Sequence, residues 1–464
     1  MHRYRIHPAW PLLELAFLLA CSGPEPADVA LQHGEDPWQH GLDRVGDKQR
    51  HQLCELQRSF IGVGDLPGGE FSSGAGSVSR DGKRVVGKGI SDTPAGEGFT
   101  WTRPGSALLF WPTSSGDGIL PLGFYVPPGG QPGLESEATQ VSADGTVVVG
   151  ASKTADTIWR AVKWTHGGIE LIPEPSAPWA GRSEAFGVSG NGVVIAGMGT
   201  TTSGERGFRW TAARGTELLT QAPAGSTLDS SWANGVSDDG TTIAGRVGLD
   251  GDPLYRACVW RSSTPGGDLT QWVLSDLYSE AISVSADGSV AVGYIYSEAA
   301  LWRWNGAGWD PPRFLSTLPG TVGSMAFDVD AEAKVVVGYC YNYGDYDDPA
   351  DDVERGTVWF LTMCPRGPHD ASTLLSSVGI TAHAGWSLSS VGGVTIDPIT
   401  RLLVLVGGGV NPDGHPEGWV AHVPPWCLTP CPPRIAPNVP FRWPIPVRTF
   451  RGGPIDPLRG GGGP

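Results

Sequence analysis

Short apolar runs alternate with small polar clusters along the whole chain, and one arrangement of them recurs. Its clearest copy, residues 279–293, reads Ser-Glu-Ala-Ile-Ser-Val-Ser-Ala-Asp-Gly-Ser-Val-Ala-Val-Gly. Val290 and Val292 alternate with small residues, which is the period-two pattern of a pleated strand. Asp287-Gly288 lies between two apolar runs, where Asp-Gly is a strong hairpin signal. The pattern therefore predicts two strands joined by a tight turn.

The same hairpin occurs seven times along the chain. Four other copies keep an Asp-Gly or Asn-Gly turn, one copy has lost its glycine, and the last has Asp397-Pro398 in the turn. The valine before each turn marks the copies, which are at Val78, Val141, Val188, Val236, Val284, Val329 and Val394. A repeat of this kind indicates one supersecondary unit used many times.

Each copy has the same flanks. A Ser-x-Ala-x-x-Val segment precedes the turn in six copies, and the seventh has Ser389 and Val391 instead. After the hairpin comes a charged residue, usually a small one, and then an aromatic strand. That strand contains Trp101, Trp164, Trp210, Trp260, Trp302, Trp359 or Trp419. A fourth apolar run, such as residues 170–173, completes most units, so each unit is predicted to have four strands.

The spacing of the units predicts an all-β fold, a β-propeller. The glycine after the second apolar run recurs in successive units at Gly150, Gly197, Gly245, Gly293 and Gly338, at roughly the 40–50-residue period of a propeller blade. Seven copies predict seven four-stranded blades, with six or eight as alternatives. The two longer intervals contain insertions at about residues 103–135 and 366–388.

The ends of the repeat region predict how the ring closes. Residues 60–66, followed by Pro67-Gly68-Gly69, resemble the fourth strand of a unit but precede the first complete unit. The last unit ends with its third strand, residues 419–423. We therefore expect the N-terminal strand to complete the last blade and to cover an edge that would otherwise be open to pairing.

Composition agrees with this prediction. The chain has 464 residues, with 68 Gly and 40 Pro, which suits an all-β protein with many turns when a period is present. Charged residues make up 17%, and the net charge is −16. Because phosphate binding needs a basic surface, nucleic acid is not expected as a partner.

Four segments are predicted. Residues 1–21 resemble an export signal, and Leu18-Leu19-Ala20-Cys21 resembles the lipobox of bacterial lipoproteins; a plain signal peptide or a misassigned start codon are alternatives. Residues 22–58 are predicted to be a polar tether and 59–423 the propeller. Residues 424–464, rich in Pro and Gly, are predicted to be a disordered tail.

The seven cysteines suit an oxidising compartment. Without Cys21 their number is even, which is compatible with disulfides, and Cys427/Cys431 is the most plausible local bridge. A metal site is less favoured, because no second pair or histidine cluster has ligand spacing.

Several residue types that could bind a ligand also have a structural explanation. The recurring tryptophans occupy one position in the unit, so packing between blades explains them better than a sugar-binding surface. Asp-Gly turns are explained by Asp binding its own backbone rather than calcium. An acidic loop is interpreted as solvated, with calcium as the alternative; it contains Asp345, Asp347, Asp348, Asp351, Asp352 and Glu354. Better ligand candidates are the tryptophans outside the repeat, Trp111, Trp179, Trp272, Trp309 and Trp386.

No catalytic constellation is recognisable. The sequence lacks His-Glu-x-x-His, Gly-x-Ser-x-Gly and a phosphate loop. We therefore assign no catalytic, cofactor-binding or metal-binding residue and expect no cofactor.

The combined pattern resembles the HAF-repeat extracellular proteins of bacteria over about residues 60–423. The resemblance is carried by Ser-x-Ala-x-x-Val-Ser-x-Asp-Gly-x-x-Val-Val-Gly, the aromatic-x-Trp strand and the turn Asp65-Leu66-Pro67-Gly68-Gly69. The His-Ala-Phe that names the family is replaced here by Glu-Gly-Phe, Arg-Ala-Val or Arg-Gly-Phe. The resemblance implies export and a propeller-like domain, and it transfers no catalytic residue.

These observations predict an exported binding or scaffold module of the cell envelope or extracellular space. We expect a monomer with an unknown protein or glycan ligand, and membrane contact only through a lipid anchor at Cys21. The ligand is expected on one face, built from the two insertions. The alternatives are a hydrolase or lyase acting on an extracellular polysaccharide in the central channel, and a purely structural surface protein.

Overall fold

The computed structural model shows a ring of seven antiparallel sheets of four strands each. The structure describes residues 58–424, except 93–95, 104–117, 132, 177–178, 223–224, 343–352 and 363–365. The predicted seven-bladed β-propeller is therefore confirmed, and the alternatives of six or eight blades are excluded.

Each blade except the last is formed by four consecutive strands. Blade 1 comprises β2 (Ser73–Val78), β3 (Arg84–Gly89), β4 (Glu97–Thr102) and β5 (Gly118–Pro121). Blade 2 comprises β6 (Glu135–Val141), β7 (Val148–Lys153), β8 (Trp159–Thr165) and β9 (Gly168–Leu171). Blade 3 comprises β10 (Ser183–Val188), β11 (Val194–Thr201), β12 (Gly204–Thr211) and β13 (Gly215–Leu218). Blade 4 comprises β14 (Leu228–Val236), β15 (Thr242–Leu249), β16 (Tyr255–Arg261) and β17 (Thr270–Val273). Blade 5 comprises β18 (Ser279–Val284), β19 (Val290–Ile295), β20 (Glu298–Arg303) and β21 (Arg313–Phe314).

The last two blades carry the one helix of the described residues and the closure of the ring. Blade 6 comprises β22 (Gly323–Val329), β23 (Val335–Asn342), β24 (Val353–Phe360) and β25 (Gly367–Asp370), and is followed by α1 (Ala371–Ser377). Blade 7 comprises β26 (Ser387–Ile396), β27 (Leu403–Val410), β28 (Pro416–Val423) and the N-terminal β1 (Ser59–Gly62). No helix within the described ranges is long and apolar enough to cross a membrane.

The N-terminal strand closes the ring as predicted. β1 pairs antiparallel with β28, with Ser59 opposite His422 and Gly62 opposite Trp419. The ring of Phe60 stacks on that of Trp419, with centroids 5.7 Å apart. Burial lowers the pKa of His422 to about 3, with Arg103 as a further cause, so this imidazole stays neutral inside the closure.

The hydrophobic core consists of seven clusters, each between two neighbouring blades. In each cluster the recurring tryptophan of one blade packs against the second strand of the blade before it, as Trp302 does against Ala244. All seven tryptophans are at most 9% exposed. The prediction that they pack between blades is confirmed.

A β-bulge interrupts the first strand of every blade at the same motif position. In blade 5 the ladder shifts between Ala281 and Ser283, so that Ile282 is an extra residue. Ala281 pairs with Gly293, and a Cβ on that glycine would lie 2.0 Å from the carbonyl oxygen of Glu280. The other six blades have the same shift and the same close approach of 1.9–2.1 Å. The repeated glycine is therefore required by the bulge.

The serine of Ser-x-Ala connects neighbouring blades. Ser279 Oγ accepts a hydrogen bond from the backbone N–H of Ala257, in the third strand of the preceding blade, at 2.9 Å. Six of the seven interfaces contain this bond, with lengths of 2.9–3.2 Å. The small residue after the charged one permits this approach: a Cβ on Gly98 would lie 3.0 Å from the backbone nitrogen of Ala138.

The hairpin turns are held by their own side chains. In the turn at 285–288, Ser285 Oγ donates to Asp287 Oδ1 at 2.8 Å and accepts from the N–H of Val290. Asp287 Oδ1 also accepts from the N–H of Ser289, and Gly288 has a φ of +68°. The same contacts occur in the other four intact turns. The expected self-bonding of the turn Asp is confirmed.

The insertion at 366–388 is part of the core between blades 6 and 7. Asp370 caps α1 by accepting from the N–H of Thr373, and Leu374 and Leu375 of the helix are buried in the cluster that contains Trp419. The helix therefore fills an interface and does not stand above the ring as a free ligand-binding loop.

We predict that Ser279→Ala lowers the free energy of unfolding by about 1–3 kcal/mol, because the buried N–H of Ala257 loses its acceptor. Urea denaturation measures this change. Ser389→Ala is the matched control: Ser389 is half-buried and bonds only within its own blade, to Gly408, so a loss below about 1 kcal/mol is expected. Equal losses in both variants would contradict the role assigned to the inter-blade bond.

Candidate functional site

The first strands of the seven blades contact one another in a circle and enclose a central channel. Within it is a cavity of about 630 Å³. The extra residue of each bulge lines this cavity; these residues are Gly76, Thr139, Phe186, Asn234, Ile282, Phe327 and Gly392. The backbone is thus nearly the same in every blade, whereas the side chains at the channel differ. This cavity is the candidate site.

The residue after the bulge ties neighbouring first strands together. Ser77 Oγ accepts from the N–H of Val141 at 3.3 Å, and Gln140 Oε1 accepts from the N–H of Val188 at 2.6 Å. Asp328 Oδ2 accepts from the N–H of Val394 at 3.0 Å in the same way. Asp328 occupies the same position after the bulge as Ser77 and Gln140 and makes the equivalent bond to the next first strand. Its hydrogen bond to Val394 therefore has a structural role.

One end of the channel carries the hairpin turns; we call this the turn face, formed by turns 79–82, 142–145, 189–192, 237–240 and 285–288. Arg80 of blade 1 reaches across it to blade 4, with Nη1 3.1 Å from Asp238 Oδ2. Its Nη2 is 4.0 Å from Glu332 Oε1 in blade 6. Burial raises the pKa of Asp238, and Arg80 opposes that rise. The Arg80 side chain therefore crosses the axis and narrows the channel at this face.

At the other end, the opposite face, the first strand of each blade begins, and a buried ion pair lies in the channel wall there. Arg246 Nη1 donates to Glu280 Oε2 at 2.9 Å, with the two side chains only 7% and 10% exposed. The same oxygen accepts from the Tyr294 hydroxyl at 2.9 Å, and Oε1 accepts from Asn234 Nδ2 at 2.7 Å. Both oxygens of Glu280 are thus engaged.

The guanidinium of Arg246 also stacks between two aromatic rings. Its Cζ lies 4.0 Å from the ring centre of Trp232 and 4.4 Å from that of Tyr255. Trp232 in turn donates from Nε1 to Glu205 Oε2 at 2.7 Å. The cluster joins blades 3, 4 and 5, and it fixes the shape of the channel mouth at the opposite face.

The cavity provides little for acid–base catalysis. Among its lining residues only Glu280 and Asp328 carry carboxylates, and each has both oxygens in hydrogen bonds. Within the part of the chain that the structure describes, no group of three or more His, Cys, Asp or Glu side chains could hold a metal ion. The arrangement favours binding of a ligand by polar and aromatic contacts.

The tryptophans predicted as ligand candidates lie elsewhere. Trp179 packs 5.7 Å from Phe208, and Trp386 packs edge-on to Phe60 at 5.2 Å. Trp272 and Trp309 both contact Trp304, on the outer side of blades 4 and 5. These four have packing roles away from the channel. Trp111 lies outside the described residues.

Several other predicted features also lie outside the described residues. They include Cys21, the Cys427/Cys431 pair, the aspartates of the acidic loop and the segments at 1–57 and 425–464. Cys258 and Cys340 are free thiols buried in two different inter-blade clusters, and burial raises the pKa of the Cys258 thiol. These two cysteines therefore belong to the core rather than to a disulfide framework.

Sequence reasoning did not identify the residues that line the cavity. The signal was present in the two undefined positions between Ala and Val of Ser-x-Ala-x-x-Val, where the side chains differ widely between the copies. A period-two strand leaves the direction of those side chains open, because the bulge shifts the alternation by one residue.

No protein-family model matches the chain, and a comparison with curated proteins gives no match. Solved structures with a similar fold were found. TolB from Acinetobacter baumannii is 12% identical with a TM-score of 0.33, over 55% of this chain and 57% of that one, so the match spans little more than half of TolB.

Two further structures have similarly distant matches. The β-propeller domain of the Trilobed protease from Pyrococcus furiosus is 8% identical with a TM-score of 0.41, covering 75% of this chain and 94% of that one. The periplasmic gluconolactonase of Pseudomonas aeruginosa is 12% identical with a TM-score of 0.36, covering 76% and 96%. At these values the likenesses support no inference about activity.

The channel carboxyl of Asp328 yields a prediction about pH. Burial raises its pKa to about 6, against roughly 3.9 in an unfolded chain. The stability that this group contributes is therefore complete below about pH 4 and is lost as the pH rises through 6. A shift of that size corresponds to about 3 kcal/mol when fully buried, and access to solvent in the channel reduces it to on the order of 1–2 kcal/mol.

We therefore expect Asp328→Asn to become more stable relative to the parent protein as the pH rises from 4 to 8. Chemical denaturation of both proteins across this range measures the difference, in which shared groups such as His422 cancel. A difference that stays constant with pH, or that moves in favour of the parent, would contradict the raised pKa.

Proposed function

We propose that this protein is an exported binding or scaffold module, with its ligand site in the central cavity at the opposite face. The observation that supports it is the division of the repeat into two sets of positions. Ser, Ala, Gly and Trp of each unit build the ring, whereas the bulge residues differ between blades and converge on one cavity of about 630 Å³. That volume is within the range of pockets for small ligands or chain ends.

The proposed location is the cell envelope or the extracellular space. It rests on the signal-like residues 1–21 and on the resemblance of residues 60–423 to HAF-repeat extracellular proteins. Fractionation of expressing bacteria tests it: the mature chain is expected in the envelope or the medium, and recovery in the cytoplasm with Met1 still attached would contradict it.

Gly76→Phe is the variant that tests the site itself. Gly76 is exposed to the cavity, and an added Cβ there would have no heavy atom within 4 Å, so a side chain can leave the backbone without a clash. Blades 3 and 6 already carry Phe186 and Phe327 at this position, which indicates that the fold accepts the substitution.

We predict that the parent protein, immobilised and screened against a glycan array and solubilised envelope proteins, binds a ligand saturably, and that Gly76→Phe weakens this binding at least tenfold by filling the cavity. Thr270→Phe, on the outer strand of blade 4, is the control and should bind normally. Binding that Gly76→Phe leaves unchanged would place the ligand elsewhere, and no binding at all would favour a purely structural protein.

A further inference from the structure

The chemistry of the cavity points to a ligand class. Its wall contains uncharged polar side chains from five blades: Ser77, Thr139, Gln140, Asn234, Ser283 and Ser390. Part of their hydrogen-bonding capacity is used within the ring, because Thr139 Oγ1, Asn234 Nδ2 and Ser283 Oγ donate to protein oxygens and Gln140 Oε1 accepts from Val188. Gln140 Nε2, Asn234 Oδ1 and the lone pairs of the hydroxyls are left for a ligand. Aromatic side chains stand between them: Phe186, Phe327 and Tyr339. Such a lining suits a molecule that has both hydroxyl groups and apolar faces.

A charged ligand is disfavoured by the charges already present. Glu280 is neutralised by Arg246 and bonded by Tyr294 and Asn234, so a cation would have to displace these contacts. An anion is disfavoured by Asp328, the second carboxylate of the wall, and by the net charge of −16 of the chain. What remains is a neutral, hydroxyl-rich ligand.

A row of aromatic rings leads from the cavity onto the opposite face. Tyr294 in the cavity wall is 6.2 Å from Tyr278, and Tyr278 is 6.4 Å from both Tyr255 and Tyr296. In blade 6, Phe327 and Tyr339 in the wall continue to Tyr341, with steps of 5.2 and 5.6 Å. Tyr294 and Tyr341 are buried, whereas Tyr278 is half-buried and Tyr296 is exposed. Tyr278 and Tyr296 therefore extend the binding surface beyond the cavity.

Tyr296 is the residue in this row that packing explains least. Its side chain is 53% exposed, and its backbone has a φ of +52°, in the left-handed region that a non-glycine residue enters at a cost of roughly 1–2 kcal/mol. A large ring held at a strained hairpin tip and left in solvent is typical of a contact residue. Its position at the end of the β19–β20 hairpin puts it on the rim of the opposite face.

The other end of the channel limits how a ligand can bind. Because Arg80 crosses the axis to Asp238, the turn face is narrowed and the cavity is reached from the opposite face. An oligomeric ligand would then insert one end into the cavity, and the rest of the ligand would lie along the row of tyrosines.

We propose that the cavity binds the end of a neutral oligosaccharide, whose terminal unit donates to Asn234 Oδ1 and Thr139 Oγ1 and accepts from Gln140 Nε2. The following units stack on Tyr278 and Tyr296. This deepens the proposed binding function and rests on it. The apolar C–H face of a pyranose ring packs on an aromatic ring, while its hydroxyls pair with side-chain amides.

Isothermal titration calorimetry with neutral trisaccharides tests the proposal, using cellotriose, maltotriose and the fully N-acetylated chitotriose on the full-length protein. We expect saturable binding of at least one of them. Tyr296→Ala should weaken it roughly tenfold and Tyr296→Phe should restore it, because the ring and not the hydroxyl makes the contact. Phe314→Ala, which removes an exposed ring from the outer strand of the same blade, should leave the affinity unchanged.

Three results would overturn the proposal: no binding of any trisaccharide, equal binding by Tyr296→Ala, or equal loss in Phe314→Ala. A protein partner is the competing outcome, because Leu277 and Val322 are exposed on the same face. If the trisaccharides fail while an envelope protein binds and is blocked by Gly76→Phe, the saccharide assignment is wrong but the binding function stands.

Discussion

The structure depends on the closure of the ring by β1. Each blade has two apolar faces, and a neighbouring blade covers each of them. Both faces are covered in every blade only because the ring is closed. A linear stack would leave two faces and two strand edges in solvent. The four residues of β1 complete blade 7, Phe60 packs against Trp419 and Trp386, and Ser73 of blade 1 accepts from the N–H of Gly418. The first and last units are thereby joined by the same kinds of contact that join the other blades, including the serine bond that six of the seven interfaces contain.

Much of the fold could be predicted because each position of the repeat has one physical role. Asp-Gly predicted the turn, Trp302 and its counterparts predicted the interface between blades, and the extra strand near Phe60 predicted the closure of the ring. The roles of Ser279 and Gly293 in each unit needed coordinates. Sequence shows that serine and glycine recur, but the bond of Ser279 to Ala257 and the approach of Glu280 to Gly293 depend on how two strands are placed.

The candidate site was less predictable, because its residues occupy the variable positions of the repeat. The tryptophans outside the repeat, such as Trp272, Trp309 and Trp386, pack on the periphery or in the closure and do not reach the cavity. The cavity is lined instead by residues inside the repeat, such as Asn234 and Phe186, at the positions where the motif allows any side chain. A nearly sevenfold backbone with unlike side chains produces an asymmetric site, which is what recognition of one ligand requires.

Amide hydrogen exchange of the N-terminal strand tests the closed ring most directly. The N–H of Val63 donates to the carbonyl of Gly418 at 2.9 Å, and residues 59–62 pair with 419–422. In this register the N–H groups of Ile61 and Val63 point toward β28, whereas those of Phe60 and Gly62 point away from it. The closed ring predicts that the amides of Ile61 and Val63 exchange as slowly as the matching amides in the fourth strands of the other blades. Exchange at the rate of an unstructured peptide, while β26 to β28 stay protected, would show that the ring is open and would contradict the account.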